Sequence, residues 1–319
     1  MSSLSRDDQT HAPERRVAIL LCTRQGQHFL AEQLDSIDRQ TYPHWTIIAS
    51  DDGSTDDTLE ILERYRTRWG AEKLEITHGP RRGFVANFLS LACRRSIHAD
   101  YFAFCDQDDV WAADKLERAV RWLDTVPVNK PAMYGSRTRS IDAQGRSMGL
   151  SRAFRRPPGF KNALVQSIAG GNTIVFNQSA HQLLVGAGDD VIVASHDWWT
   201  YLIVTSAGGS VFYDDYPSVG YRQHGANAMG ENTRWRSRLR RALQLLRGQL
   251  GEWNRMHLKA LERLPAPATH DQQNALRCFR ESRTARLPIN VFWLVRSGVY
   301  RQTRLETLSL ILAAMLKRL

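Results

Sequence analysis

Three of the four residues from Asp106 to Asp109 are carboxylates, Asp106, Asp108 and Asp109, and they end the apolar run Tyr101 to Cys105. Side chains at the end of a buried strand project past the sheet edge. Like charges packed so closely call for a cation, and hard oxygen ligands without Cys or clustered His suit Mg2+ or Mn2+ carrying phosphate groups. The residues alone leave a second reading open, a solvated acidic turn capping the helix expected from about Ala112.

Other candidates are scattered along the chain. In Asp51-Asp52-Gly53-Ser54-Thr55-Asp56-Asp57-Thr58, Gly53 permits a tight turn, Ser54 or Thr55 can cap the next helix, and Asp57 lies in its first turn. Gly170-Gly171-Asn172-Thr173 precedes the apolar Ile174-Val175-Phe176. Glycine there lets the backbone pass close to a ligand, or simply turns the chain before a strand. Ser195-His196-Asp197-Trp198-Trp199 opens an apolar helix, where Asp197 can be an ordinary first-turn acid and the Trp pair core. His224 follows a strand in Tyr221-Arg222-Gln223-His224-Gly225, a setting in which a lone His is usually structural.

The elements that must position these groups follow from hydrophobic period. Val17 to Cys22 is a continuous apolar run ending at Thr23, and Phe29, Leu30, Leu34 and Ile37 then recur at helical spacing. Trp45 to Ser50 and Leu74 to Thr77 repeat the strand pattern; Leu59, Ile61, Leu62 and Tyr65, then Phe84, Phe88, Leu91 and Ala92, repeat the helical one. With Tyr101 to Cys105, four alternations of strand and helix predict a parallel, doubly wound sheet. Its ligand belongs beyond the C-terminal strand ends, which lets Thr23, Asp51, Asp52, Arg81, Arg82 and Asp106 to Asp109 share one cleft. Pro131 to Gly135 and Val211 to Tyr213 read as further strands, with a basic, turn-rich stretch from Ser136 to Pro158. No Gly-x-Gly-x-x-Gly follows the first strand and no Gly-x-x-x-x-Gly-Lys-Ser/Thr occurs, which excludes a dinucleotide dehydrogenase and a P-loop NTPase.

Composition sets the class. The chain has 319 residues, 42% hydrophobic and 24% charged, as expected of a soluble globular protein. Met1 to Arg16 is polar, contains Pro13 and reads as a loose tail, neither signal peptide nor membrane span. The apolar stretch Leu308 to Leu316 is too short to cross a bilayer. Cys22, Cys93, Cys105 and Cys278 lack zinc-site spacing and suit a reducing cytoplasm. The net charge of +10 is uneven: from Glu231 onward there are 18 Lys and Arg against 6 acids, and before it 25 against 27. That asymmetry points to an anionic surface as partner. From Thr233, Trp235, Leu239, Ala242, Leu246, Leu250 and Trp253 recur at helical spacing among Arg residues. Such a basic amphipathic helix can lie on an anionic membrane or dock its stripe on the rest of the chain. Pro265 and Pro267 interrupt the pattern, and a final helix is predicted from about Val291.

Taken jointly, Val17-Ala-Ile-Leu-Leu-Cys-Thr23, the stretch Asp51 to Thr58, and Phe104-Cys-Asp-Gln-Asp-Asp-Val-Trp111 resemble a family 2 glycosyltransferase of the GT-A fold, over roughly Arg16 to Gly230. The resemblance implies an α/β, Rossmann-like, doubly wound and mostly parallel sheet with a C-terminal helical extension. Residues 1–16 would be a flexible tail, 17–230 the transferase domain and 231–319 a basic amphipathic helical region. It implies that Thr23 and Asp52 contact the base and ribose of a nucleotide sugar and that Arg82 approaches the nucleotide or diphosphate. Asp106 and Asp108 would form the Asp-x-Asp pair, with Asp108 the direct ligand of Mg2+ or Mn2+. The loop of Gly171 would lie against the donor sugar, and His224 would reach back to the metal or diphosphate, helped by Arg222. Asp197 would be the general base that an inverting transfer needs, because a sugar hydroxyl is a poor nucleophile until its proton is taken. His196 stands where many relatives carry an acid, and Trp198 and Trp199 would offer apolar faces to a sugar.

The combination of Asp-Gln-Asp-Asp-Val-Trp, His-Asp-Trp-Trp and Tyr-Arg-Gln-His-Gly resembles in particular bacterial transferases assigned to rhamnose transfer in surface polysaccharide assembly. It implies a dTDP-rhamnose donor, or another nucleotide sugar such as a UDP-hexose, and a saccharide or lipid-linked saccharide acceptor. It also implies a cytoplasmic enzyme, peripheral at the inner face of the plasma membrane. Two rivals remain: a carboxylate-based glycoside hydrolase, which needs neither nucleotide nor metal, and a nucleic-acid-binding module in the Arg-rich tail. The tail lacks a zinc or recognition-helix pattern, so nucleic acid is not expected as a partner.

Overall fold

The computed structural model describes residues 15–223 and 248–319. The first half alternates as its apolar periods dictate: β1 (Val17–Thr23), α1 (Leu30–Asp38), β2 (Trp45–Asp51), α2 (Thr58–Trp69), β3 (Leu74–His78), α3 (Phe84–Ala92) and β4 (Tyr101–Asp106). Next come β5 (Val110–Trp111), α4 (Lys115–Leu123), β6 (Ala132–Ile141), β7 (Ser147–Leu150), α5 (Phe160–Ala163), β8 (Val175–Asn177), α6 (Gln178–Ala187), α7 (His196–Ser206) and β9 (Ser210–Arg222). Among the described residues four helices follow: α8 (Gln249–Ala260), α9 (His270–Thr284), α10 (Ile289–Ser297) and α11 (Arg304–Met315).

One sheet runs in the order β3-β2-β1-β4-β8-β6-β9-β5, with β7 beside β6. Its first four strands are parallel, and their register aligns Thr23 with Asp51 and Cys22 with Asp106. Beyond β4 the sheet is mixed. β8 runs antiparallel to β4 and to β6, β9 is parallel to β6, and β5 is antiparallel to β9. Because β8 is reversed, the residues that precede it, not those that follow it, lie at the edge where β4 ends. The backbone N–H of Phe104 donates to Ile174 O at 3.2 Å and fixes that juxtaposition.

Helices cover both faces, which is why β1 is buried at every position, and apolar from Val17 to Cys22 and not at alternate positions. On one face α1, α2 and α4 place Leu30, Leu34, Leu62, Leu116 and Leu123 over Val17, Ile19 and Leu21. On the other, α3, α6 and α7 pack with Leu20, Phe102 and Phe104, and Leu276, Phe279, Leu294 and Leu310 of the C-terminal helices join that same core.

The C-terminal helices have local stops and starts. After the Pro265 and Pro267 break, Thr269 and Gln272 form a reciprocal capping box that opens α9. The single helix expected from about Val291 is two. Gly298, at φ 66°, ends α10, and Thr303 caps α11 by accepting from the Glu306 N–H at 3.2 Å. The amphipathic stretch from Thr233 lies largely outside the described residues. Its last turns are in α8, where Leu250 is buried and Trp253 meets Trp198 edge-on at 6.1 Å. Among the described residues no helix is long and apolar enough to cross a membrane.

Candidate active site

The ends of β1, β2 and β4 bring their acids to one rim, and the acids divide into two kinds. The first kind holds the rim together. Asp51 is buried, accepts from the Gly53 and Ser54 N–H groups at 3.1 and 2.8 Å, and takes the Thr23 hydroxyl at 2.9 Å. Gly53 turns the chain at φ 92°, which favours glycine. Asp52, also buried, accepts from the backbone N–H groups of Arg81 and Gly83, at 2.5 and 3.0 Å. Its carboxylate thereby shapes the turn that carries Arg82, whose side chain stands exposed and acts electrostatically on Asp190. Gln107 clamps the β1–α1 loop with two hydrogen bonds to the Arg24 backbone, at 2.7 and 2.8 Å.

Asp109 belongs to this kind too. It is fully buried, accepts from the Asn172 amide at 2.5 Å and from the Arg222 N–H at 3.2 Å. Burial, then the charges of Asp106 and Asp108, push its pKa well up, against the pull of those two hydrogen bonds. Behind it Lys115 is wholly buried, its Nζ 3.8 Å over the Trp111 ring, and burial lowers the ammonium to about 7.

Asp106, Asp108 and Asp197 are the second kind. Loss of solvent, then the charge of Asp108 and that of Asp197, push Asp106 up to about 7. Asp197, at the start of α7, is raised by burial. It is held by its own helix terminus, accepting from Trp198 N–H at 2.7 Å, and by hydrogen bonds from Ser195 and the Gly171 N–H. Gly171 itself lies in the turn before β8, opposite the end of β4. The expected residues Asp106, Asp108, Gly171 and Asp197 are thus brought together, with Thr23 and Asp52 forming the adjoining wall. His224 lies outside the described residues.

Two expectations change, and His196 gains a place. Arg222 does not face a leaving group: its side chain is 1% exposed, donates to Asp108 O at 2.9 Å and Ala143 O at 3.0 Å, and pairs with Glu32 at 2.5 Å. A buried guanidinium needs acceptors on all sides, and here it ties β9, the acidic turn, α1 and the β6–β7 turn together. Trp198 and Trp199 are core, with Trp198 Nε1 donating to Ala163 O at 2.6 Å. His196 is buried and stacks on Phe88 with ring centroids 4.0 Å apart, and burial lowers its pKa to about 3. It serves as an aromatic wall between Phe88 and Phe104.

No group of three His, Cys, Asp or Glu arranged to hold a metal occurs among the described residues. Asp106 and Asp108 nevertheless fit a divalent cation. Every influence on Asp106 disfavours its charge, and Mg2+-type ions commonly take one or two carboxylates plus substrate phosphates.

The family model described as glycosyl transferase family 2 matches residues 18–180. The dTDP-rhamnosyl transferase RfbG of Shigella flexneri is 27% identical over 231 residues, covering 69% of this chain and 77% of that protein. The UDP-Glc:alpha-D-GlcNAc-diphosphoundecaprenol beta-1,3-glucosyltransferase WfgD of Escherichia coli is 31% identical over 121 residues, 38% of this chain and 45% of its own length. Among solved structures, Staphylococcus aureus TarS 1-349 with UDP-GlcNAc superposes at a TM-score of 0.59 and 15% identity, covering 95% of this chain and 88% of that one. Mannosyltransferase PcManGT of Pyrobaculum calidifontis, with GDP-Man and Mn2+, gives 0.50 and 22%, covering 98% and 90%. These two likenesses establish the fold, GT-A.

Proposed function

The chain belongs to glycosyl transferase family 2, and from that premise we propose that it is a metal-dependent, inverting enzyme of polysaccharide biosynthesis. We place the transferase in residues 17–230, with 231–319 as its helical attachment and 1–16 as a tail. The donor in this reading is dTDP-rhamnose, supported by the 27% identity to a dTDP-rhamnosyl transferase over 231 residues. The acceptor is a hydroxyl of a saccharide or lipid-linked saccharide at the cytoplasmic side of the membrane.

The observation that carries the chemistry is the meeting of Asp106, Asp108 and Asp197, from two distant parts of the sequence, at one rim. When bound by Asp106 and Asp108, a divalent cation would offset the charge of the departing diphosphate. Asp197 takes the proton of the acceptor hydroxyl as its oxygen bonds to the anomeric carbon and the bond from that carbon to the diphosphate breaks. Burial raises the Asp197 pKa and so strengthens it as a base, while the Gly171 and Trp198 N–H groups fix its direction. Thr23 and the Asp52-shaped turn with Arg82 form the nucleotide side, and the Gly171 backbone the sugar side.

The test is calorimetric titration of dTDP-rhamnose and UDP-glucose with Mn2+ or Mg2+, then with chelator. Cation-dependent binding of dTDP-rhamnose supports the reading; donor-free hydrolysis that survives chelation overturns it. A UDP-hexose donor is the second reading, favoured by the 31% identity to a UDP-glucose enzyme over a shorter stretch. Preference for UDP-glucose in the same titration would select it.

A further inference from the structure

The outer face of the last two helices carries large apolar side chains that nothing in the described residues covers. On α11, Leu305, Leu308, Leu312 and Met315 follow one another at helical spacing, and Leu305 is 78% exposed. The opposite side of the same helix, Leu310, Ala313 and Ala314, is buried in the core. On α10, Phe292 and Val295 are 56% and 64% exposed, while Asn290 of that helix donates to Ala314 O at 2.7 Å and locks the pair together. A monomer in water rarely leaves such a contiguous stripe open without a use.

Charge says which surface suits it. From Arg286 to Leu319 there are six Lys and Arg against one acid, Glu306, and that acid is paired with Arg152 at 2.8 Å. Arg286, Arg296, Arg304, Lys317 and Arg318 are all exposed. We propose that this face, α10 with α11, docks on an anionic lipid bilayer, with the apolar stripe entering the headgroup boundary and the basic side chains at the phosphates. Segment 224–247 is a poor cover, because its sequence carries six Arg against one acid and would meet like charge. A second copy of the face brings the same repulsion. Nucleic acid would satisfy the charge and leave the apolar stripe in water.

The face is mechanically joined to the rim. Arg152 pairs with Glu306, and Arg156 donates to Arg301 O at 2.9 Å, so the chain just after β7 is fastened to the start of α11. The turn between β6 and β7 accepts in turn from Arg222, which holds Asp108. Docking therefore loads a part of the chain that is tied, through that turn, to Asp108. Lipid binding stands independently of the donor reading; if both hold, the acceptor is one carried in the bilayer.

The experiment uses the full chain in co-sedimentation with vesicles of phosphatidylcholine alone and of phosphatidylcholine with phosphatidylglycerol. Binding is expected only with phosphatidylglycerol. The triple variant Leu305→Glu, Leu308→Glu, Leu312→Glu is expected to bind at least tenfold more weakly with an unchanged thermal melt, and so is the pair Arg296→Glu, Arg304→Glu. Equal pelleting with both vesicles, none with either, or undiminished binding by either variant overturns the proposal. So does a melt lowered by the triple variant, which would mean that the face is covered within the chain, or a dimer in sedimentation velocity that the triple variant dissolves. Donor titration of both variants at the wild-type level keeps this result separate from the nucleotide-sugar reading.

Discussion

The backbone of Gly171 lies flat against the imidazole of His196: a Cβ at position 171 would collide with Nε2 and stand 3.0 Å from Cε1. The glycine is needed for that contact, not for a left-handed backbone, since its φ is ordinary. His196 cannot retreat, because Phe88 stacks on it and Phe104 meets its edge at 4.7 Å. Gly171→Ala is therefore expected to cost about 1–3 kcal/mol, the range for overpacking a well-filled interior. It should also slow transfer, because the Gly171 N–H that holds Asp197 moves with the backbone. Adding His196→Ala should recover part of the loss. Urea midpoints of the two single variants and the double complete the cycle, and strict additivity would sink the contact.

Asp197→Asn keeps the shape of the group and most of its hydrogen bonding but cannot take a proton. Donor affinity is expected to stay within about twofold, while turnover falls by about 10²- to 10⁴-fold, the usual worth of a general base. Calorimetry beside single-turnover kinetics separates the two. Turnover near wild type would remove Asp197 from the reaction.

Cation removal and Asp106→Asn should act in opposite directions on stability. The raised Asp106 pKa means that its charge opposes the fold above pH about 7, so Asn is expected to raise the metal-free melting temperature at pH 8. Saturating Mn2+ should stabilise the wild type, by about 2.7 kcal/mol at a hundredfold excess over Kd, and do little for the variant. A full Mn2+ response in Asp106→Asn would take that carboxylate out of the cation site.

Arg222 is the tie of the acidic turn, and losing it should be felt as lost fold before lost chemistry. Arg222→Met is expected to cost about 3 kcal/mol or more, because the Asp108, Asp142 and Ala143 carbonyls lose their buried donor and Glu32 its partner. Arg222→Lys should rescue little, since a compact ammonium cannot span the acceptors that Nε, Nη1 and Nη2 reach separately. Denaturant midpoints decide it. A stable Met variant with weak diphosphate binding would return Arg222 to the ligand.

Three buried histidines weaken the fold as the solution turns acid. Burial holds His196 and His257 at about 3 and His181 at about 4, all below the unfolded value. Their stabilising contribution is complete above pH about 6.5 and is lost as pH falls through the folded values, because the unfolded chain binds protons more readily. The raised carboxyls of Asp106, Asp109 and Asp197 act the other way as pH falls, so the histidine share is read by difference: from pH 7 to 4 the urea midpoint of His181→Phe, which keeps the stack on Phe102, should fall less than that of the wild type, by a slope of about one proton. An unchanged slope would mean that His181 charges inside the fold.

The parallel half was legible because each strand there is a short apolar run ending in chemistry, as Val17 to Thr23 and Tyr101 to Asp106 do. The mixed half was harder to read. Val110–Trp111 is too short to show a period, and β9 runs to Arg222 through Asp214, Asp215 and Pro217, residues that ordinarily interrupt a strand. At the rim, acid type was visible but duty was not. Asp51, Asp52 and Asp109 read like Asp106 and Asp108 until their backbone and amide partners were placed. His196 was ambiguous for a related reason: a polar symbol in sequence can be an aromatic plate once Phe88 and Phe104 close on it.

The reversal at β8 means that the rim is written in two grammars. Along β1, β2 and β4 the rim residues are those that leave a strand, whereas at β8 and β5 they are those that enter it, as Gly171 enters β8 and Asp109 enters β5. A library for changing sugar preference that randomised only strand exits would leave the entries to β8 and β5 constant. One that paired the exit of β4 with the entry to β8 would vary two facing walls at once, across a hydrogen-bonded seam that keeps their spacing fixed.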